Sequence, residues 1–265
     1  MKNFGLAFWL FLSGLLPCAA QTSNVIWSGY WQTNGAASAL AVGCTFRVPF
    51  VTQAIPDVDA ATATWCGIGN SDLIQAGTVE TVLGGYSGFW ATCGTCIAQA
   101  IGGTVLPGDV ITVSIFCTAN CSSGTQTWTA QLSDCGPPGT RLSTPCVLGA
   151  TGNVWNATEA GIVYASAKSV AEWITENQFN LILPNYGTVT YLSSTLNGIP
   201  VDLTAGGSVQ LYVPGTTANG FTTSNASAVN ATKDGFQTCY GINSTLTTCP
   251  TASSFFFGAG RFGGF

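Results

Sequence analysis

The chain has 265 residues, with 6 Lys plus Arg against 11 Asp plus Glu for a net charge of −5, and it contains no histidine. Without imidazole it cannot build a Ser-His-Asp or Cys-His machine or an HExxH zinc site, and its isolated basic residues, Arg47, Arg141, Lys168, Lys233 and Arg261, leave no stripe for phosphate backbones, so nucleic acid is not an expected partner. Only 6% of residues are charged and 46% are hydrophobic, the composition of a packed domain rather than a disordered one.

In chain order, residues 1–20 come first, MKNFGLAFWLFLSGLLPCAA. Lys2, an apolar run from Phe4 to Leu16 and small residues up to Ala20 form a secretory signal with cleavage expected after Ala20. The run is too short to span a bilayer, which takes about 20 apolar residues. A secreted, extracellular protein is expected, with no membrane span. The later patterns begin within about seven residues of the expected cleavage, leaving no room for a long propeptide.

Period-2 alternation and turn chemistry dominate the chain beyond this leader. Pro107-Gly108-Asp109 is a turn, after which Val110, Thr112 and Ser114 alternate with Ile111, Val113 and Ile115 as a strand. Further strands are expected at Thr125 to Leu132, Gly161 to Ala167, Ser169 to Thr175, Gly187 to Leu192, Ser208 to Val213 and Gly235 to Tyr240. Short strands separated by Gly, Pro and Asn turns, with no long helical stripe, indicate an all-β antiparallel sandwich or barrel. Beyond about Gly241 the pattern lapses, so residues 21–242 are assigned to one domain and 243–265 to a C-terminal extension, too short and Gly-interrupted to be a membrane span.

Of the eleven cysteines, Cys18 falls in the leader. The even number beyond it, in a secreted chain, reads as disulfides. Proximity suggests Cys117 with Cys121, Cys135 with Cys146 and Cys239 with Cys249. Cys93-Gly-Thr-Cys96 has CxxC spacing, but with no βαβ pattern and no second CxxC it reads as structural rather than redox or zinc-binding. Sequons at Asn120, Asn156, Asn225, Asn230 and Asn243 predict N-glycosylation of exposed loops.

Catalysis without histidine would fall to carboxyl groups. The glutamates are Glu80, Glu159, Glu172 and Glu176. Glu172 and Glu176 share a strand face but lie four residues apart, about 13 Å at the usual rise, too far for a glycosidase pair at roughly 5 to 9.5 Å. The Asp-Thr-Gly and Asp-Ser-Gly turns of an aspartic peptidase are missing. A glutamate acting as general base and then acid, beside a glutamine that donates to the tetrahedral oxygen, needs no imidazole, metal or cofactor. With an ordinary carboxyl pKa near ~4, such a group suits acidic conditions. A chain this poor in basic residues also gives acid little to act on.

At these residues the sequence resembles the eqolisins, or glutamic peptidases. Trp27-Ser-Gly-Tyr30 with Thr45-Phe-Arg-Val-Pro49 is similar to the family's opening strand and its Phe-x-Val-Pro. Trp65-Cys-Gly-Ile68 leading to Leu73-Ile-Gln-Ala-Gly77 is similar to the segment with the catalytic glutamine, and Ala171-Glu-Trp-Ile-Thr-Glu176 followed by Leu183-Pro-Asn-Tyr-Gly-Thr-Val-Thr-Tyr191 to the segment with the catalytic glutamate. The resemblance spans about Trp27 to Tyr240. It implies a concanavalin-like sandwich of two curved sheets, disulfide-stabilised, and a monomeric acid endopeptidase acting on polypeptides, with Gln75 and Glu172 catalytic and Trp65 and Trp90 at the substrate. The chain departs from the family where Gly69 and Phe89 replace acids. Those losses motivate the alternative of an inactive or glycan-binding sandwich using exposed tryptophans, and behind it a passive surface protein. Glu176 is expected to be structural or exposed.

Overall fold

The computed structural model describes residues 27–33, 39–53, 60–69, 72–92, 97–122, 124–136, 153–163, 170–178, 183–209, 211–214, 221–241 and 249. The expected leader, the Cys93/Cys96 pair, Cys146, Asn243 and the tail past 249 lie outside them.

Two antiparallel sheets make up the fold. One runs β13(Gly207–Val209), β1(Trp27–Thr33), β10(Val170–Asn177), β3(Ala61–Ile68), β4(Ile74–Thr81), β5(Gly85–Thr92), β6(Gln99–Thr104). The other runs β14(Leu211–Pro214), β15(Phe221–Ala226), β16(Phe236–Tyr240), β11(Thr188–Leu196), β2(Ala41–Arg47), β7(Val110–Ala119), β8(Thr125–Asp134), β9(Asn153–Val163), with β12(Ile199–Pro200) paired to β11. The expected all-β sandwich is the observed architecture.

The alternation reads directly as burial on β7 and β8. Ile111, Val113 and Ile115, with Trp128, Ala130 and Leu132, point into the main core between the sheets, while Thr112, Ser114, Thr127 and Thr129 face outward. The turn ahead of β7 closes as predicted: Gly108 takes φ 88°, and the Asp109 carboxylate accepts from Leu106 N at 2.7 Å. The strand expected at Gly161 to Ala167 instead begins at Asn153, pairing along β8 from Asp134↔Asn153 to Thr125↔Val163. Polar Asn, Thr and Glu residues, which hid it in the sequence, belong on an edge strand.

Cross-sheet bonds fix the layers under β3 and β10. The Cys44–Cys66 disulfide joins β2 to β3. Trp173 Nε1 donates to Gly43 O at 2.9 Å, the Thr175 and Thr238 hydroxyls are 2.8 Å apart, and the buried Tyr191 hydroxyl lies 2.5 Å from Ile174 O and 3.2 Å from Trp65 O. The proximity pairings Cys117–Cys121 and Cys239–Cys249 are present, and Cys249 is 5% exposed. Cys44–Cys66 was invisible to a proximity argument because it joins strands from different layers. Cys135 is also disulfide-bonded, but its expected partner Cys146 lies outside the described residues. No described helix is long and apolar enough to cross a membrane.

Candidate active site

The site lies on the face of the first sheet turned away from the main core. Successive side chains of a strand point to opposite faces. On β3, Cys66 and Ile68 go inward and Ala63, Trp65 and Gly67 outward; on β10, Ala171 and Trp173 go inward and Glu172, Ile174 and Glu176 outward. On β4, Ile74 and Ala76 go inward, leaving Gln75, Gly77 and Val79 on the outer face.

Pairing register brings the two expected catalytic residues together. Trp31 lies opposite Glu172, Glu172 opposite Gly67, and Gly67 opposite Gln75. Glu172 and Gln75 thus stand in one row on one face, two strands apart, roughly 10 Å between backbones, and the position between them has no side chain. A Cβ on Gly67 would come 2.8 Å from Leu73 Cδ1 and 3.0 Å from both Ile74 O and Trp65 Cζ3, so Leu73 and the Trp65 ring close over this glycine and require it to lack a side chain. Glu172 is 3% exposed. Its Oε2 and the Oε1 of Gln75 are both buried with no hydrogen-bond partner. Buried polar atoms are nearly always paired with protein or ordered water, and two orphaned acceptors in one row of a sheet face are a pair that a water can satisfy by donating to both.

Electrostatics distinguish the carboxyls. Burial, and then the like charge of Glu176, push the Glu172 carboxyl up to about 8. Glu176 is raised to about 7 by burial, held from going further by hydrogen bonds of which Trp65 gives the first. Trp65 Nε1 donates to Glu176 Oε2 at 2.7 Å, so Glu176 is neither exposed nor a bystander. Register alone could have flagged it, since it sits two outward positions beyond Glu172 on the same strand. Glu80 points the other way, into the main core, where it is 0% exposed and accepts from the Thr78 hydroxyl; burial raises it well above the ordinary range.

Of the two tryptophans expected at the substrate, Trp65 lies on the site face, but at 0% exposure it is a floor beneath the site rather than open surface. Trp90 is turned away. It packs in the main core opposite Ala76, because β5 presents alternate residues to alternate faces and the outward position beside the site is Phe89. Phe89 packs with Ala63, Trp65, Leu73 and Ile174, so the place of an expected acid holds an apolar plug. Gly69, at the other, has φ 118°, a conformation that disfavours any side chain. Of the indoles the lectin-like alternative would draw on, Trp65, Trp90, Trp128 and Trp173 are buried, while Trp27 and Trp31 are half-buried.

The glycosylation set also needs correcting. Asn120, Asn156 and Asn230 are exposed, but Asn225 is 5% exposed inside β15, opposite Cys239, where a glycan has no room. No cluster of three potential metal ligands occurs among the described residues.

The arrangement is the β-sandwich of the glutamic peptidases. The chain matches Scytalido-glutamic peptidase in two inhibited states, with a peptide-based transition-state analog and with a transition-state analog inhibitor, at TM-scores of 0.58 and 0.59. It also matches SCP-B, a member of the eqolisin family of peptidases in complex with the tripeptide Ala-Ile-His, at 0.57. Each match covers 83% of this chain and 100% of the other at 18% identity, so the likeness is one of fold. No family model and no curated protein matches the sequence.

Proposed function

We propose that the protein is a secreted acid endopeptidase that hydrolyses peptide bonds with Gln75 and Glu172. The observation that carries this reading is the pair of buried, unpartnered oxygens, Gln75 Oε1 and Glu172 Oε2, flanking Gly67 on one sheet face. A water donating to both is held with its oxygen lone pair free for attack on a carbonyl carbon brought against the pair.

The raised carboxyl changes how the chemistry runs. A Glu172 held up to about 8 is a neutral acid throughout the acidic range, not the carboxylate expected from an ordinary pKa. A neutral carboxyl acts at both of its oxygens. As water attacks, one Glu172 oxygen takes the water proton while the other gives its own proton to the substrate carbonyl oxygen, forming a neutral gem-diol. The Gln75 NH₂ donates a hydrogen bond to that developing oxygen. In the second step Glu172 gives its proton to the amide nitrogen, a gem-diol hydroxyl returns one to Glu172, and the C–N bond breaks to leave an acid and an amine. Activity belongs to the protonated site and declines as Glu172 ionises.

Cleavage of a denatured protein at roughly pH 2 to 5, undiminished by a chelator, tests the reading. Glu172→Gln should reduce kcat by about 10²-fold or more. A Glu172→Gln variant as active as the wild type would end the proposal.

A further inference from the structure

We propose that Glu176 is a positioning residue for this site: it anchors the Trp65 indole that packs against Gly67 between Gln75 and Glu172, and its charge governs proton retention on Glu172. The inference rests on the reading of Glu172 as the acid–base group.

The anchoring follows from the two ends of one ring. The Trp65 indole N–H is bonded to Glu176 Oε2 at 2.7 Å. On the far side of the ring, Trp65 Cζ3 lies 3.0 Å from where a Gly67 Cβ would stand. The indole therefore reaches along the site face from the Glu176 carboxylate to the glycine that separates Gln75 from Glu172. Its other contacts are apolar. Trp27 meets it edge-on at a centroid distance of 5.3 Å, and Ala63, Leu73, Phe89 and Ile174 pack around it. Apolar contacts carry no direction, so the one polar bond fixes how the ring is turned within them.

The charge effect follows from the surroundings of Glu176. Across β1 it faces Trp27, and across β3 it faces Ala63, neither of which titrates. Gln178 lies two residues further along the chain. Glu80 is on the opposite face of the sheet, so the titratable group sharing Glu176's face is Glu172. The Trp65 N–H bonded to it favours the Glu176 anion, and a negative charge there keeps the proton on Glu172. A unit charge about 13 Å away at an effective dielectric of about 20 is worth about one pH unit.

Two variants separate the roles. Glu176→Gln keeps an acceptor for the indole and removes the charge; Glu176→Leu removes both. The profile of kcat/KM against pH on a denatured protein substrate is expected to show the high-pH decline of Glu176→Gln moved down by about one pH unit. Glu176→Leu should lose at least about tenfold more kcat in acid than Glu176→Gln, the cost of a misplaced floor. A Glu176→Gln profile that superimposes on the wild type overturns the proposal, and it does so even if Glu176→Leu fails to fold. Glu172→Gln run in parallel separates the two levels. If it stays active, the acid–base reading falls and this inference with it; if it is inactive while Glu176→Gln is unshifted, only the role of Glu176 falls.

Discussion

Raising the pH from 4 to 8 should loosen this fold, and Glu172→Gln should blunt that effect. In the unfolded chain the Glu172 carboxyl has its ordinary value of 4.5, and in the folded protein it is pushed up to about 8, by burial first and the Glu176 charge second. A folded-state value above the unfolded one means that the native state binds more protons between the two. The contribution to stability is therefore complete below about 4.5 and lost as pH rises through about 8. At about 1.4 kcal/mol per pH unit that gap amounts to roughly 5 kcal/mol at most, a large share of the roughly 5–15 kcal/mol that holds a typical domain. Glu176 and Glu80 shift in the same direction and steepen the decline. Glutamine mimics the neutral carboxyl, so Glu172→Gln should match the wild type at pH 4 and exceed it at pH 8. Urea midpoints followed by far-ultraviolet circular dichroism at pH 4, 6 and 8 measure this. A wild type as stable at pH 8 as at pH 4, or a variant with the same slope as the wild type, would refute the reasoning.

Gly67→Ala should cost about 1–3 kcal/mol by overpacking against Leu73 and Ile74 and should abolish cleavage by pushing Leu73 and the Trp65 ring out of place beside the dyad, measurable as a lowered midpoint together with lost turnover in acid. Replacing Cys44 and Cys66 by alanine should cost about 2–5 kcal/mol, read from the same urea titrations. Glycopeptide mass spectrometry of protein from a eukaryotic host should find Asn225 unmodified because of its burial; a glycan there would show that β15 does not pair with β16 as described.

Legibility followed solvent exposure. Alternation revealed β7 and β8 because one face of each is wet and the polar residues mark it. β3, Ala-Thr-Ala-Thr-Trp-Cys-Gly-Ile, is buried at every position and carries no alternating signal, so periodicity passed over the strand at the centre of the site. The row joining Trp31, Glu172, Gly67 and Gln75 depends on register between strands far apart in sequence, which no local pattern encodes; motif resemblance supplied the residues but not the glycine between them. The same resemblance named Trp90, and strand parity corrected it, since a residue next to an outward-facing Phe89 must face inward. Glu176 was set aside on its distance from Glu172, a sound argument against a carboxyl pair but silent on an indole bridging most of that interval.

One physical cause runs through both the stability and the chemistry of this chain. Glu80 and Glu172 are buried and Glu176 is half-buried, and among the described residues no basic side chain pairs with them, an arrangement that would be costly if they had to be ionised. In acid they are neutral and the cost is absent; toward neutrality it returns at each site. The burial that makes Glu172 a proton carrier in acid is thus the burial that makes the folded state prefer acid, and the two properties cannot be separated by substitutions elsewhere on the surface. A variant that brings a cation beside Glu172, such as Trp31→Lys directly opposite it on β1, should therefore act on both at once: it should flatten the dependence of stability on pH and move the loss of turnover to lower pH. Changing one without the other would show that the stability of the fold in acid has a separate origin.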